Sequence, residues 1–166
     1  MKIGLISDTH NNLDSSITTA LEGVNEIWHA GDIGSLAITD RLAEIAPVRA
    51  VYGNIDNHLV RSEWPEYLYH EIDSNRFLMI HIAGRIGNYN PRVRELIAQF
   101  RPTFLICGHS HILKVQFDKR FDLLYINPGA VGQHGFHLMR TLITFEIQDG
   151  IVTHMNAVEL GRRGRE

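Results

Sequence analysis

The sequence predicts an α/β fold, a two-sheet sandwich with helices on its outer faces. In the first half, short apolar runs alternate with helix-period segments in the order β-α-β-α-β, which calls for parallel strands and right-handed crossovers. In the second half strand-like runs follow one another with turn signals between them, which calls for antiparallel pairing. No repeat, low-complexity tract or Pro/Gly/Ser-rich linker interrupts the 166 residues, so residues 1–160 read as one domain. Residues 161–166, with Arg162, Arg163 and Arg165, read as a basic, frayed tail.

Each element follows from its own pattern. Lys2–Ile6 is a compact apolar run, a buried strand. Ile17, Ala20, Leu21 and Val24 recur at helical spacing, predicting a helix over Ser15–Val24 with Asp14 or Ser15 as N-cap. Ile27–Ala30 is the second strand. A second helix spans Ser35–Ala46, with Leu36, Ile38, Leu42, Ala43 and Ile45 apolar, Ser35 placed to cap it and Pro47 beyond its end. Val48–Tyr52 is the third strand. Phe77–Ile82 then reads as a strand, Pro91–Phe100 as a helix with proline at its first position, and Thr103–Cys107 as a buried strand. Leu113–Phe117, Asp122–Ile126, Thr141–Ile147 and Ile151–Val158 complete the set, with turns at Asp118–Lys119 and Asp149–Gly150. The apolar residues Trp64, Tyr67, Leu68 and Tyr69 serve either a homo-oligomer interface or the core.

Composition narrows the class of function. A net charge of −3 argues against a general nucleic-acid coat or a binder of anionic membranes, and no basic aromatic groove for nucleic acid is expected. The lone Cys107 excludes a disulfide framework and a zinc cage of several thiolates; its apolar run gives it a packing role. No apolar run approaches the ~20 residues of a membrane-spanning helix. Met1–Ile6 meets Ser7 and Asp8 too soon for a signal-peptide core, so the expectation is a cytoplasmic protein.

The ten histidines are informative through their positions. Polar clusters recur where apolar runs end: Asp8–Thr9–His10, Gly31–Asp32, Gly53–Asn54–Ile55–Asp56, His81, and Gly108–His109–Ser110–His111. In open α/β sheets ligands gather outside the carboxyl ends of parallel strands, so Asp8, His10, Asp32, Asn54, His81, His109 and His111 are expected around one crevice. Glycines before Asp32, Asn54 and His109 permit the tight turns that aim these side chains. Two carboxylates, an amide oxygen and four imidazoles form a mixed N/O set that suits a pair of Mn²⁺, Fe²⁺, Zn²⁺, Co²⁺ or Ni²⁺ ions. A carboxylate has one oxygen for each ion, and Asp32 is the natural candidate to bridge them because it lies between the other groups in chain order. His58, His134 and His137 are in loops that could bring them to the crevice, but they read first as surface histidines, and His29, His70 and His154 as structural ones.

The ordered set Asp8-x-His10, Gly31-Asp32, Gly53-Asn54-x-Asp56, His81 and Gly108-His109-x-His111 resembles the calcineurin-like metallophosphoesterases. The short length and the Asn127–Pro128–Gly129 turn resemble their small stand-alone phosphodiesterase branch in bacteria and archaea. The resemblance runs from the first strand to about Gly132. It implies a pair of mixed β-sheets flanked by helices, one metal held by Asp8, His10, Asp32 and His111, and another held by Asp32, Asn54, His81 and His109. Two departures stand out. Ile55 occupies the position where many larger members carry a histidine that assists the leaving oxygen, and Ala83 replaces the second histidine of the motif at His81.

The function expected is binuclear, Mn²⁺-preferring hydrolysis of a small phosphodiester by in-line attack of a metal-bridging hydroxide. Asp32, Asn54 and Asp56 form the catalytic set, Asp56 by orienting a turn or a ligand histidine rather than by attack. Asn11 and Arg85 are the candidate phosphate contacts. A phosphomonoesterase or phosphoprotein phosphatase keeps the same metals, and a non-catalytic protein scaffold keeps only the fold.

Overall fold

The computed structural model describes residues 1–164. The first half comprises β1 (Lys2–Ile6), α1 (Ser15–Ala20), β2 (Glu26–His29), α2 (Leu36–Ala43), β3 (Val48–Ala50), α3 (His58–Glu63), β4 (Tyr67–Ile72) and β5 (Asn75–Ile80). There follow β6 (Gly84–Arg85), β7 (Asn88–Tyr89), α4 (Pro91–Phe100), β8 (Phe104–Ile106), β9 (Leu113–Asp118), β10 (Leu123–Pro128), β11 (Met139–Gln148) and β12 (Ile151–Arg162).

Two five-stranded sheets run β12-β11-β1-β2-β3 and β4-β5-β8-β10-β9. Both are mixed. β1, β2 and β3 are parallel in one sheet and β5, β8 and β10 in the other, with antiparallel strands added at the flanks. Strand alternation sorts the side chains into layers. Ile3 and Leu5 of β1 point between the sheets, where they meet Trp28, Phe77, Met79, Ile106 and Phe145. Ile6 faces the opposite way, toward Ile17 of α1, Leu21 at its end, and Ile38 and Leu42 of α2. Gly4 shares that outer face: a Cβ there would fall 2.5 Å from Cδ2 of Leu21, so the glycine sets how closely the α1 segment lies on the sheet. On the far side, Leu78, Ile80 and Leu105 pack against Val93, Leu96 and Ile97 of α4. The α/β sandwich of mixed sheets flanked by helices is the predicted one.

Differences lie at the edges. The helices at Ser15 and Leu36 end at Ala20 and Ala43, yet Leu21, Val24 and Ala46 remain buried in turns, because an apolar period reports burial and not the helical hydrogen bond. Asp14 caps α1 by accepting from the Ser16 and Ile17 amides, whereas Ser35 occupies the α2 cap without a side-chain bond. α3 and β4 were not anticipated. β4 is half-buried along most of its length and has no clean alternation. Trp64, Tyr67, Leu68 and Tyr69 pack, partly buried, against the cores. β12 continues through Arg162, which pairs with Met139, and the Arg163 amide donates to the Leu138 carbonyl at 2.9 Å. Gly161 and Arg162 are therefore strand, not frayed tail; Arg165 and Glu166 lie outside the described residues.

Candidate metal centre

The loops that follow β1, β2, β3, β5 and β8 open on one side of the sandwich. Their backbones are bound together before any side chain is considered. The Asp8 amide donates to the Gly31 carbonyl at 2.9 Å and the His10 amide to that of Asp32 at 3.0 Å; the Gly108 amide donates to the His81 carbonyl at 3.0 Å. Asp8, His10, Asp32, His109 and His111 have φ values of 57°, 45°, 55°, 66° and 58°. Such left-handed conformations in residues with a Cβ carry strain that surrounding structure must hold in place, and they concentrate at functional sites. His109 and His111 thus sit in a loop, not on a strand.

The glycines act chiefly by their missing side chains. A Cβ on Gly53 would stand 2.1 Å from Oδ1 of Asp32, and one on Gly108 would stand 2.0 Å from Oγ of Ser7. Asn127, on β10, holds the histidine loop: its amide nitrogen donates to the Gly108 carbonyl at 2.8 Å and to Ser110 Oγ at 3.1 Å.

Two groups of donors result. In Asp8, His10 and His111 one ligand atom from each lies within 4.8 Å of the others, and the same holds for Asp32, His81 and His109. Oδ1 of Asp8 lies 3.2 Å from Nε2 of His111 and 3.9 Å from Nε2 of His10. Asp32 faces both groups, with Oδ1 3.2 Å from Nε2 of His81 and Oδ2 3.5 Å from Nε2 of His10. Oδ1 of Asp8 and Nε2 of His10 and His81 are buried and make no hydrogen bond. Buried polar atoms without partners are costly and rare. A cation among them would satisfy all three, so the residues fit divalent metal ions.

The electrostatics agree. Burial would raise the Asp8 carboxyl, but its polar neighbours, the His81 charge and Ser7 among them, outweigh it and hold Asp8 below the usual carboxylate range. Asp32 is likewise depressed: burial opposes ionisation, and His81 and the Ile55 amide overcome it. Burial pushes His10 down despite Asp32 and Asp8, whereas for His81 those carboxylates outweigh burial and push it up. Nδ1 of His81 lies 2.7 Å from the Ala30 carbonyl, which can only accept; Nδ1 therefore carries a hydrogen and Nε2 is the atom presented to Asp32.

The remaining predicted residues divide. Asn54 is exposed and lines a cleft of about 420 Å³ with His10, Asp32, His109 and His111. Asn11 borders an adjoining recess beside His10 and Ile55. Asp56 is buried among backbone amides: its carboxylate accepts from Gly53 at 2.7 Å, Gly34 at 2.7 Å and Ile33 at 3.2 Å. Through these bonds it ties the Asp32 loop to the Asn54 loop and touches no ligand histidine, so of its two expected roles it takes that of orienting a turn. Arg85 lies exposed on β6 and lines none of these cavities.

Residues outside the expected catalytic and phosphate-binding set stand closer. A cavity of about 590 Å³ beside His81 and Asn54 is walled by Tyr52, Arg61, Glu66 and Arg92. Arg61 lies over the Tyr52 ring at 4.7 Å and donates to the Asp56 and Asn54 carbonyls. The His134 ring lies tilted beside that of His10, with centroids 5.0 Å apart, and Nδ1 of His137 lies 3.1 Å from Nδ1 of His111. His137 is half-buried, whereas His134 is exposed at the wall of the cleft. Their signal was only their place after the Asn127–Gly129 turn, and no local pattern links that turn to His10 or His111.

Comparison with known proteins places this geometry. A family model described as the calcineurin-like phosphoesterase superfamily domain matches residues 1–150. A probable metallophosphoesterase of Methanothermobacter thermautotrophicus is 34% identical over 135 residues, covering 78% of this chain and 77% of that protein. A phosphodiesterase of Methanocaldococcus jannaschii is 30% identical over 146 residues, covering 78% and 83%. Among solved structures, wild-type Vps29 of Entamoeba histolytica complexed with Zn²⁺ superposes with a TM-score of 0.70 at 18% identity, covering 97% of this chain and 100% of that one, a likeness of fold. With a family model over most of its length and relatives at this identity, the chain belongs to the calcineurin-like phosphoesterase superfamily.

Proposed function

We propose that the protein hydrolyses phosphodiesters with two divalent cations, Mn²⁺ foremost, one held by Asp8, His10, Asp32 and His111 and the other by Asp32, Asn54, His81 and His109. The observation that carries this reading is Asp32, which offers one carboxylate oxygen to each histidine group. When bound, such a pair supplies Lewis acidity and a nucleophilic water of lowered pKa for in-line attack on phosphorus. The chain contributes the geometry: Asp8 and Asp32 stay ionised, the Ala30 carbonyl orients His81, and Asn127 steadies the His109 and His111 loop.

Diesters are favoured over monoesters because no lysine or arginine is among the described residues lining the cleft. Its rim carries the exposed apolar side chains Ile55, Ile112 and Phe136, which suit the uncharged arms of a diester. Ile55 cannot protonate a leaving oxygen, so esters of acidic alcohols are the expected good substrates. A cytoplasmic setting goes with this reading; no helix of the described residues is long and apolar enough to cross a membrane. The test is chelation followed by Mn²⁺ restoration, with bis(p-nitrophenyl) phosphate and p-nitrophenyl phosphate assayed side by side. Restored turnover is expected mainly on the diester. Preference for the monoester would overturn the substrate assignment, and Mn²⁺ uptake without turnover of either would favour a scaffold.

A further inference from the structure

We propose that His137 is a positioning residue that fixes the tautomer of His111, and that Arg163 holds the loop carrying it. The inference rests on the metal reading above and deepens it. Nε2 of His137 lies 3.1 Å from the Gly132 carbonyl, and a carbonyl only accepts, so that nitrogen bears the hydrogen. In the neutral ring the lone pair is then on Nδ1, which faces Nδ1 of His111 at 3.1 Å. His111 must donate there. Its own lone pair is left on Nε2, the atom 3.2 Å from Oδ1 of Asp8. A lone pair set against a carboxylate oxygen is repulsive alone and attractive with a cation between them, so the relay presents His111 in the form a metal requires.

The loop is pressed into place from two sides. A Cβ on Gly135, which has φ +124°, would fall 2.3 Å from Nδ1 of His111, so the backbone passes directly against that ring. From behind, Arg163 donates through Nε to the His137 carbonyl at 3.0 Å and through its amide to that of Leu138 at 2.9 Å. The Gly164 amide adds a bond to Oε1 of Gln133 at 2.7 Å. Side chains more than 20 residues away in sequence thereby set the orientation of one ligand.

The experiment uses the full chain labelled with ¹⁵N-histidine. Long-range ¹H–¹⁵N spectra of the metal-free protein read the tautomer of His111, and Mn²⁺ titration followed by electron paramagnetic resonance reads affinity. His111 is expected as the Nδ1–H form in the native protein. In His137→Phe, which has no acceptor, that form is expected to become mixed and Mn²⁺ affinity to fall roughly 10–100-fold. His137→Asn places an amide oxygen near the same point and is expected to restore both. Arg163→Ala, which leaves the site's side chains intact, is expected to shift both readouts in the same direction as the Phe variant and by less, and it keeps the test open if that variant does not fold. An unchanged tautomer and affinity in both the Phe and Ala variants would overturn the proposal. A native protein with the Nδ1–H tautomer but no Mn²⁺ uptake would sink the metal reading and leave the relay standing.

Discussion

Asp32 and His81 meet across the two sheets: the carboxylate at the end of β2 brings Oδ1 to within 3.2 Å of Nε2 of the imidazole at the end of β5. Nothing local joins them. The sandwich aligns the carboxyl ends of parallel strands from both sheets, and the donors collect there because each strand feeds its loop toward the same edge.

Because Asp32 faces both histidine groups, Asp32→Asn tests the proposed shared role without a change of shape. It removes one negative charge shared by both groups while keeping the shape. Metal content after gel filtration is expected to fall, with kcat/KM on an aryl diester reduced by more than about 100-fold. Full turnover with normal metal content would contradict the shared role.

Gly53→Ala tests the same carboxylate through the backbone. The added methyl would arrive 2.1 Å from Oδ1 of Asp32, and the contact cannot be relieved without moving that oxygen or its loop. Overpacking of this kind costs about 1–3 kcal/mol. The expected outcome is a lower urea midpoint together with weakened metal uptake, although no ligand has been altered.

Asp56 separates stability from chemistry. Its carboxylate accepts three backbone amides in a buried site, so Asp56→Ala leaves those donors without acceptors. The loss is expected to be about 3 kcal/mol or more in chemical denaturation, since each unsatisfied buried donor costs roughly 1–3 kcal/mol. Any fall in activity should track the fraction folded. Activity abolished with stability unchanged would assign Asp56 a direct part in the chemistry.

Stability is expected to decline on mild acidification because of His29. Burial holds this imidazole down at about 4, against 6.5 for an exposed histidine. Between those values the unfolded chain binds a proton that the folded chain refuses, so the stabilisation is complete above pH 6.5 and is lost as pH falls toward 4. The full difference is of order 3 kcal/mol. In urea titrations at pH 7 and pH 5, His29→Gln should flatten the dependence; an unaltered slope would assign it to other groups.

Arg92 and Arg85 offer a contrast. Arg92 walls the cavity beside His81, and Arg85 lies outside it. If the second ester arm occupies that cavity, Arg92→Ala is expected to raise KM several-fold with kcat little changed, a loss of uniform binding. Arg85→Ala is expected to leave both within about twofold. Reversal of the two effects in steady-state kinetics would restore the original assignment of Arg85.

Much of this protein was legible before any coordinates. Apolar period identified most strands and all of α4, because burial on a regular element imposes its repeat on the residues. The ordered Asp, Asn and His clusters were legible for a related reason: each follows its strand directly, so chain order already states which loop carries which donor. Sequence by itself therefore determined the layered fold and which Asp and His side chains gather at its strand ends. Tertiary structure decided what each residue does there. It turned Asp56 into a tie between loops, removed Arg85 from the site's cavities, brought Arg61 and Arg92 to a neighbouring cavity, and set His137 against His111. These roles depend on contacts between segments far apart in the chain, made by exposed or irregular loops. A repeating pattern records which face is buried, but it holds no information about which distant loop lies opposite.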